Sequence, residues 1–377
     1  MVNFYQRFVT CPASKWLLIV LAAVIGFTTM ADAQGDYMYE GDPCTLKDGT
    51  SGVCMESIKC AWFNETIIKK KQFNQRVSCG FDGMIEIICC KTDTVSVGIR
   101  TRLACDKIPM VDNRLTFHII DGEEADDGEF PFMAALGYQN DEIAKGYDYR
   151  CGGSLIADNF VLTAAHCIPI NGRPVVVLLG TKTLDPEHFG VIVGIKQFFP
   201  YPDYRAARSY HDIALIELER SLVNEPDVNP ICLYSGTEDL PKTTVLTAEG
   251  FGIVDSDKQL RSEILMKVNL TTVALDKCNQ TFADNNLLKN NRRLPQGIIS
   301  TQYCATGREN EDTKLIGDTC QGDSGGPLQI IEDGKYKLVG VTSFGNGCGS
   351  ATPSVYTRVS RYIDWIESVV WPKVTPK

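Results

Sequence analysis

The chain has 377 residues, of which 44% are hydrophobic and 22% charged, and its formal net charge is −10. This length predicts two or three folded units, and the composition is that of a globular protein. The acidic balance argues against nucleic acid or an anionic membrane as the main partner, because both carry negative charge. The lysine run at 69–71 is a local exception, which we interpret as a solvated loop.

The N-terminus predicts a secretory signal peptide over residues 1–33. Two basic residues precede an apolar run from Trp16 to Phe27, which is shorter than the about 20 residues that span a bilayer. Ala31-Asp32-Ala33 then fits the small-residue pattern of a cleavage site. Because no later segment is long and apolar enough to span a membrane, we expect a soluble, extracellular protein.

Fifteen cysteines are consistent with an oxidising compartment. Cys11 lies in the predicted signal peptide, which leaves fourteen, an even number as a disulfide framework requires. One set is crowded into a short segment: Cys44, Cys54, Cys60, Cys79, Cys89 and Cys90. The others are Cys105, Cys151, Cys167, Cys232, Cys278, Cys304, Cys320 and Cys348. A zinc site in the first set is disfavoured, because that segment has neither a CxxC pair nor a histidine.

Residues 44–90 are too few to form a strong core unaided, so we expect disulfides to constrain them, at typically about 2–4 kcal/mol each. Residues 91–118 show no strong periodicity and are interpreted as a linker. From residue 119 onward, short apolar stretches alternate with Gly, Pro, Asn and Asp, which predicts an all-β sandwich or a pair of barrels.

The apolar stretches and one helical repeat predict individual strands and a C-terminal helix. The predicted strands include Pro174–Leu179, Val191–Phe199, Ile213–Leu218 and Lys337–Phe344. A helix is predicted at the end of the chain, where Tyr362, Trp365, Ile366 and Val369 recur at helical spacing.

The segment Gly322-Asp323-Ser324-Gly325-Gly326 is the sharpest local signal for chemistry. Glycines on both sides of a serine let the backbone approach a substrate and leave its N–H groups free as donors. The same pattern fits the nucleophile elbow of an α/β-hydrolase, but that fold places its histidine after the serine. The chain's four histidines all precede Ser324, which excludes that fold: His118, His166, His188 and His211.

The base and the carboxylate therefore lie upstream of the serine. His166 follows small residues and precedes Cys167, while Asp212 stands at the mouth of an apolar strand. Taken singly, each is equally consistent with a core histidine or a turn aspartate. Together, in the order His, Asp, Ser, they predict a catalytic triad.

Residues 119–377 resemble the trypsin/chymotrypsin family over their whole length, through Ile119-Ile120-Asp121-Gly122, TAAHC, HDIAL, GDSGGP and Ser343-Phe344-Gly345. The resemblance implies two perpendicular six-stranded β-barrels with the site between them. It also implies that Ser324 is the nucleophile, His166 the base and Asp212 the orienting carboxylate. The N–H groups of Gly322 and Ser324 would form the oxyanion hole. The intact nucleophile favours an active serine endopeptidase.

The resemblance places Asp318 at the base of the specificity pocket, six residues before the nucleophile. A carboxylate there favours substrates with Arg or Lys before the cut bond. Gly345 leaves the pocket wall open, whereas Ser354 replaces the family's usual glycine, and its side chain would either narrow the pocket or alter its preference between Arg and Lys. The alternative is that Asp318 is buried and paired internally, which would leave a weak or unusual specificity.

The resemblance further implies activation by cleavage between His118 and Ile119. The freed α-ammonium group would fold inward and pair with Asp323, ordering the site. Because His118 is not basic, an acidic pocket should not accept it, and we expect a different upstream protease rather than self-activation. The nearby basic alternative, Arg114, would leave a wrong N-terminus.

Residues 44–90 resemble the clip domain of arthropod proteases, which ends in an adjacent pair like Cys89-Cys90. Sequence alone leaves about fifteen connectivities open for six cysteines. The resemblance implies Cys44–Cys89, Cys54–Cys79 and Cys60–Cys90 in the clip domain, with Cys151–Cys167, Cys278–Cys304 and Cys320–Cys348 in the protease domain and Cys105–Cys232 between the two parts. A bridge that the family commonly makes to the nucleophile loop has no counterpart cysteines here, so packing alone should hold that loop.

In having a residue other than Arg or Lys before the activation bond, the chain resembles the clip C subgroup of these proteases. This resemblance implies a zymogen in a haemolymph cascade of immunity (melanisation or Toll-type) or development. The implied partners are an upstream activating protease, a downstream clip protease zymogen as substrate, and a serpin as inhibitor. The alternatives are a non-catalytic clip adaptor, which the intact triad argues against, and a digestive protease, which has no use for a clip domain.

We expect neither a cofactor nor a metal, and Thr181 stands where calcium-binding relatives carry a carboxylate. Asn64, Asn269 and Asn279 begin N-x-S/T sequons, which are either glycosylated or unoccupied surface asparagines.

Overall fold

The structure is a computed structural model that describes residues 38, 43–58, 60, 62–91, 98–111, 123–142, 146–184, 190–255, 260–307, 323–346, 350 and 352–372. Several predicted features lie outside these residues: the signal peptide at 1–33, the activation bond between His118 and Ile119, the pocket residue Asp318, the oxyanion residue Gly322, and the Cys320–Cys348 pair. Within the described part of the chain, every helix is too short or too polar to cross a lipid bilayer.

The cysteine-rich segment forms a small antiparallel sheet with strand order β1-β2-β4-β3. Its elements are β1 Pro43–Thr45, β2 Ser51–Glu56, a π-helical turn Phe63–Lys69, a 3-10 turn Phe73–Gln75, β3 Ser78–Asp82 and β4 Ile85–Lys91. The core is slight, with Phe63, Ile67 and Ile88 packed against two of the cysteines. Disulfides compensate for it, with the pairing that the clip resemblance implies: Cys44–Cys89, Cys54–Cys79 and Cys60–Cys90.

The first barrel is closed, with strand order β10-β11-β8-β7-β6-β9. Its strands are β6 Met133–Gln139, β7 Tyr147–Ala157, β8 Phe160–Thr163, β9 Pro174–Leu179, β10 Val191–Pro200 and β11 Ala214–Leu218, preceded in the chain by the short β5 Glu123–Glu124. Closure leaves no unpaired strand edge in this ring.

The second barrel closes because β19 pairs with both β18 and β20, completing the ring β13-β16-β17-β20-β19-β18. The strands are β12 Cys232–Leu233, β13 Val245–Gly250, β14 Ile253–Asp255, β15 Leu260–Arg261, β16 Met266–Val273, β17 Gln302–Thr306, β18 Pro327–Glu332, β19 Lys335–Phe344 and β20 Ser354–Arg358. Strand β12 joins the edge of β19, and β5 pairs with β16. The predicted all-β architecture of two six-stranded barrels is confirmed.

The predicted strands are present with small differences at their ends. Strand β19 begins two residues earlier than Lys337, because Asp333 and Gly334 both have positive φ and form a tight turn. Such a turn matches the twist of the flanking strands, so the pairing continues to Glu332 and Lys335.

The predicted linker contains a helix, α1 Ile99–Asp106, which its weak apolar periodicity does not indicate. The other helices are α2 Leu275–Asp284 and α3 Ile363–Val370, with 3-10 turns at Ala165–Cys167 and Val359–Arg361. Tertiary contacts hold α1 in place. The Cys105–Cys232 disulfide attaches it to β12, and Arg100 donates hydrogen bonds to the carbonyl oxygens of Glu367 and Trp371.

Helix α3 lies where the C-terminal periodicity predicts it, but its buried face includes a carboxylate. Glu367 is fully buried, its Oε1 accepts a hydrogen bond from the backbone N–H of Thr101 at 2.8 Å, and its Oε2 lies 3.3 Å from Arg100 Nη2. A buried charge is tolerated only with such partners, so Glu367 fastens the linker helix to the protease domain.

Glu367→Ala should destabilise the protein, because it removes the carboxylate that accepts from the Thr101 N–H and pairs with Arg100 Nη2, although the bonds of Arg100 Nη1 to backbone carbonyls remain. Since Arg100 keeps 22% of its side chain exposed, we expect a loss of about 2–3 kcal/mol, below the usual cost of breaking a fully buried pair. Urea denaturation measures the change. Asp364→Asn removes an exposed carboxylate from the same helix and should cost less than about 1 kcal/mol. Equal losses in both variants would contradict the interpretation.

Candidate active site

Two neighbouring strands of the first barrel position His166 and Asp212, the predicted base and its carboxylate. Strand β8 ends at Thr163 and leads into the 3-10 turn that carries His166. Strand β11 begins at Ala214, just after Asp212, and pairs antiparallel with β8 so that Ala214 faces Thr163. The end of one strand therefore meets the start of the other, and the two side chains are brought together.

The carboxylate of Asp212 is buried and accepts three hydrogen bonds. His166 donates to it twice, from its backbone N–H to Oδ1 at 2.9 Å and from Nδ1 to Oδ2 at 2.7 Å. The hydroxyl of Ser343 donates to Oδ2 at 2.5 Å, and that of Thr357 donates to the Asp212 carbonyl at 2.8 Å. These two hydroxyls come from the second barrel, so both barrels fix this residue. Ser343 is part of the motif Ser343-Phe344-Gly345 that carries the family resemblance, but the sequence did not predict its hydrogen bond to Asp212.

Burial and charge act in opposite directions on this pair. Burial tends to raise the pKa of Asp212, but the His166 charge and the hydrogen bonds prevail and lower it. Burial tends to lower the pKa of His166, but the Asp212 charge and hydrogen bond prevail and raise it. For His166, whose side chain is 32% exposed, burial is the largest single effect, and the charge and the hydrogen bond of Asp212 together outweigh it.

The turn that carries Ser324 is hydrogen-bonded to both barrels. The Ser324 carbonyl accepts a bond from the Gly152 N–H of β7 at 2.8 Å, and the Gly325 N–H donates to the Thr342 carbonyl of β19 at 2.8 Å. The Ser324 carbonyl also lies 3.6 Å from Cys167 Sγ, beside the turn of His166. Packing alone was expected to hold this loop, but backbone hydrogen bonds contribute as well.

Gly325 is required at its position for two reasons. Its φ of +79° lies in the left-handed region, and a Cβ there would fall 2.2 Å from Thr163 Oγ1 and 2.6 Å from the Gly152 carbonyl oxygen. The close approach of this turn to the first barrel therefore depends on the absence of a side chain.

Asp323, the predicted receptor of the activated N-terminus, is buried in a pocket formed by glycines. Its Oδ1 accepts a hydrogen bond from the Gly252 N–H at 2.8 Å. A Cβ on Gly250 would lie 2.0 Å from Oδ1 and one on Gly252 would lie 2.4 Å from Oδ2. The carboxylate thus occupies space that only glycines leave open.

Two of the three predicted specificity residues are described, and they face each other. Ser354 is buried, and its hydroxyl oxygen lies 3.0 Å from the point where a Gly345 Cβ would be. The serine side chain therefore fills space against this wall. The third residue, Asp318, is outside the described part of the chain.

The three sequon asparagines differ in exposure and in the hydrogen bonds that their side chains make. Asn64 is exposed, and Asn269 accepts a hydrogen bond from Thr247 Oγ1 at 3.2 Å. The amide nitrogen of Asn279 donates to the carbonyls of Leu275 at 3.2 Å and Ile298 at 2.7 Å. Since a glycan on that nitrogen would replace one of these donors, Asn64 suits glycosylation better than Asn279.

Cysteine side chains that lie close together among the described residues either form disulfides or could bind a metal ion as thiolates. The protease disulfides Cys151–Cys167 and Cys278–Cys304 have the pairing that the resemblance implies. Two groups of side chains are close enough to share an ion, Cys44 with Cys54 and Cys79, and Cys151 with His166 and Cys167. All five cysteines are in disulfides, so neither group offers thiolate ligands. The Thr181 hydroxyl donates to the Thr183 carbonyl oxygen at 3.2 Å and accepts from the Thr183 N–H at 3.1 Å.

Comparison with known proteins agrees with this geometry. The family model described as Trypsin matches residues 119–366. The chain is 40% identical to serine protease Hayan of Drosophila melanogaster, over 71% of this chain and 41% of Hayan. It is 31% identical to CLIP domain-containing serine protease C9 of Anopheles gambiae, over 94% of this chain and 93% of that protein, and 28% identical to phenoloxidase-activating factor 1 of Holotrichia diomphalia, over 87% and 93%.

The fold, the paired histidine and carboxylate, and these similarities define a protein of the chymotrypsin-like class. The chain belongs to the trypsin family of serine proteases and, within it, to the clip-domain proteases of arthropods.

In Ser324→Ala protein, NMR titration of the His166 ring should give a pKa above the ordinary value of about 6.5. Adding Asp212→Asn should lower this pKa markedly, because the burial that disfavours the imidazolium remains while the carboxylate charge is lost. For the protein with its serine intact, we predict that proteolytic activity falls as the pH decreases through the raised pKa, because protonated His166 cannot accept a proton. An unchanged His166 pKa in the double variant would show that Asp212 does not control it.

Proposed function

We propose that the protein is an extracellular serine endopeptidase zymogen whose nucleophile is Ser324, with His166 as base and Asp212 as orienting carboxylate. The observation that carries this proposal is the hydrogen-bonded His166–Asp212 pair beside the turn of Ser324. Of the alternatives, a non-catalytic adaptor would have no need for a buried carboxylate that fixes one imidazole tautomer.

The proposed mechanism follows from that tautomer. Because Nδ1 donates to Asp212, Nε2 is the nitrogen that takes the proton of the Ser324 hydroxyl as it attacks the scissile carbonyl. His166 then returns the proton to the leaving amine, which leaves an acyl group on Ser324. Water attacks this acyl group with His166 again accepting and returning a proton, and Ser324 is released. The N–H groups of Gly322 and Ser324 would stabilise the oxyanion, where one donor is typically worth about 10²–10³ in rate.

We infer a preference for Arg or Lys before the cut bond, from the position of Asp318 in the sequence. A desolvated carboxylate rewards a cationic side chain and is left unpaired by any other. The buried Ser354 hydroxyl beside Gly345 supports a narrower pocket than glycine would leave.

The proposed activation step is cleavage between His118 and Ile119. Asp323 supports it, because its carboxylate is buried against Gly250 and Gly252 and accepts a hydrogen bond from the Gly252 N–H. An α-ammonium group arriving there would form a buried ion pair, which is favourable only when both partners are present. The site would therefore order fully after cleavage.

We place the protein within a protease cascade, as a clip C-type member between an upstream activator and a downstream clip zymogen, with a serpin as inhibitor. The similarity to C9 supports the subgroup. Two relatives are by name phenoloxidase-activating factors, which favours a melanisation-type setting over digestion.

Purified zymogen incubated alone at high concentration should not generate a chain that begins at Ile119, because an acidic pocket does not accept His118. N-terminal sequencing over time measures this. Rapid appearance of that chain, abolished by Ser324→Ala, would contradict activation by a different protease.

A variant whose residues 114–118 are replaced by an enteropeptidase site can be cleaved to expose Ile119. It should then hydrolyse fluorogenic peptides with Arg or Lys before the cut, and the Ser324→Ala form should not. Ser354→Gly should raise kcat/KM for Arg relative to Lys by about tenfold, since it enlarges the pocket. No turnover of any peptide would favour the adaptor.

A further inference from the structure

An arginine-rich surface lies beside the candidate catalytic pair. It consists of exposed basic residues from two segments, 201–210 and 285–297: Arg205, Arg208, Lys289, Arg292 and Arg293. We call this set the basic ridge. Segment 285–297 contains no acidic residue, and Asp203 is the single one in segment 201–210. A ridge of one sign is unexpected on a chain whose net charge is −10.

Hydrogen bonds join the two segments of the ridge directly. Arg208 Nη1 donates to the Arg292 carbonyl at 2.8 Å, and the Ser209 N–H donates to the Arg293 carbonyl at 3.0 Å. Arg293 Nε in turn lies 3.3 Å from Ser209 Oγ. The side chain of Arg293 is therefore held at a defined place and does not need to be ordered when a ligand arrives.

The longer segment is also anchored below the ridge. The Tyr210 hydroxyl donates to the Gly297 carbonyl at 2.9 Å and accepts from the Gln296 N–H at 2.9 Å. Leu294 and Ile298 are buried with helix α2 and the Cys278–Cys304 disulfide. This loop is a fixed wall of the protease domain.

The wall stands next to the site, because Ser209 precedes Asp212 by three residues and is itself buried. The positive charge of Arg293 opposes protonation of His166 and lowers its pKa, although less than burial does, and Asp212 more than offsets both. Arg293 likewise counters the rise in the Tyr204 pKa that burial and Asp212 cause. Together with the bond of Arg293 to Ser209, three residues before Asp212, this places the guanidinium at the edge of the candidate site.

The charges of the ridge are not neutralised within the described part of the chain. None of the five basic groups forms an ion pair with a described carboxylate, and the polar contacts of the arginines are to carbonyl and hydroxyl oxygens. Guanidinium groups bind carboxylates in a bidentate manner, so the ridge presents several unused carboxylate sites.

We propose that the basic ridge selects protein substrates that carry Asp or Glu close to the cut bond. This inference rests on the proposed endopeptidase function and adds a second specificity element to the Arg/Lys pocket. Charged groups at the rim of a site contribute mainly to the choice of partner and to the rate of encounter. The ridge would thus favour an acidic activation loop over a neutral one that has the same residue at the cut.

The test uses the protein cleaved at an engineered site to expose Ile119. Its substrates are fluorogenic peptides with Arg at the cut, in matched sets whose neighbouring residues are acidic or neutral on either side. We expect kcat/KM to be about tenfold higher for the acidic peptides. This preference should shrink between about 50 mM and about 500 mM NaCl, because salt screens exposed charges.

The double variant Arg292→Gln, Arg293→Gln identifies the residues responsible. The ratio of acidic to neutral kcat/KM should fall to about one, and taking the ratio cancels any effect on the reaction itself. Lys242→Gln removes an exposed lysine from another turn and should leave the ratio unchanged.

The outcomes separate this inference from the function on which it rests. If neither peptide set is cleaved, the endopeptidase function fails. If both are cleaved equally, or the preference survives in the double variant, the ridge does not select substrates. Retention on heparin–agarose that the double variant abolishes, without any peptide preference, would assign the ridge to a polyanion and overturn the proposal.

Discussion

The buried carboxylate of Asp212 is the constraint on which the rest of the site depends. A charge at the junction of two barrels is stable only if donors surround it, and both barrels supply them. The first barrel contributes the His166 ring and backbone N–H, and the second contributes the hydroxyl of Ser343. The Thr357 hydroxyl, also from the second barrel, donates to the Asp212 backbone carbonyl and so fixes the residue itself. The orientation of the imidazole and the alignment of the two barrels are therefore parts of one interaction.

A second constraint is the close approach of backbone to backbone. The Ser324 turn reaches the first barrel because Gly325 has no side chain, and Asp323 fits because Gly250 and Gly252 have none. These glycines leave space that a Cβ would fill, and hydrogen bonds from both barrels then hold the turn. The N–H of Gly152 is one of these donors, so backbone hydrogen bonds as well as packing hold the turn.

Specificity in the proposal has two sources that differ physically. The pocket near Ser354 acts on one side chain through shape and a desolvated charge, whereas the basic ridge with Arg293 acts on neighbouring residues through exposed charge. The first discriminates strongly and is insensitive to salt; the second is weaker and salt-dependent. The linker helix is fastened to the protease domain through Glu367 and through the Cys105–Cys232 disulfide.

The sequence by itself determined an all-β class, most of the named strands and the terminal helix, and it predicted the triad, because periodicity, glycine spacing and residue order can be read along the chain. The family resemblance, and not the periodicity, implied two barrels instead of a sandwich. Tertiary structure alone decided the contact of Ser343 with Asp212, the burial of Glu367, the helix in the linker and the juxtaposition of Arg293 with Ser209. Each of these depends on partners far away in sequence. Their stability comes from desolvation and hydrogen bonding after the barrels close, which no local pattern encodes.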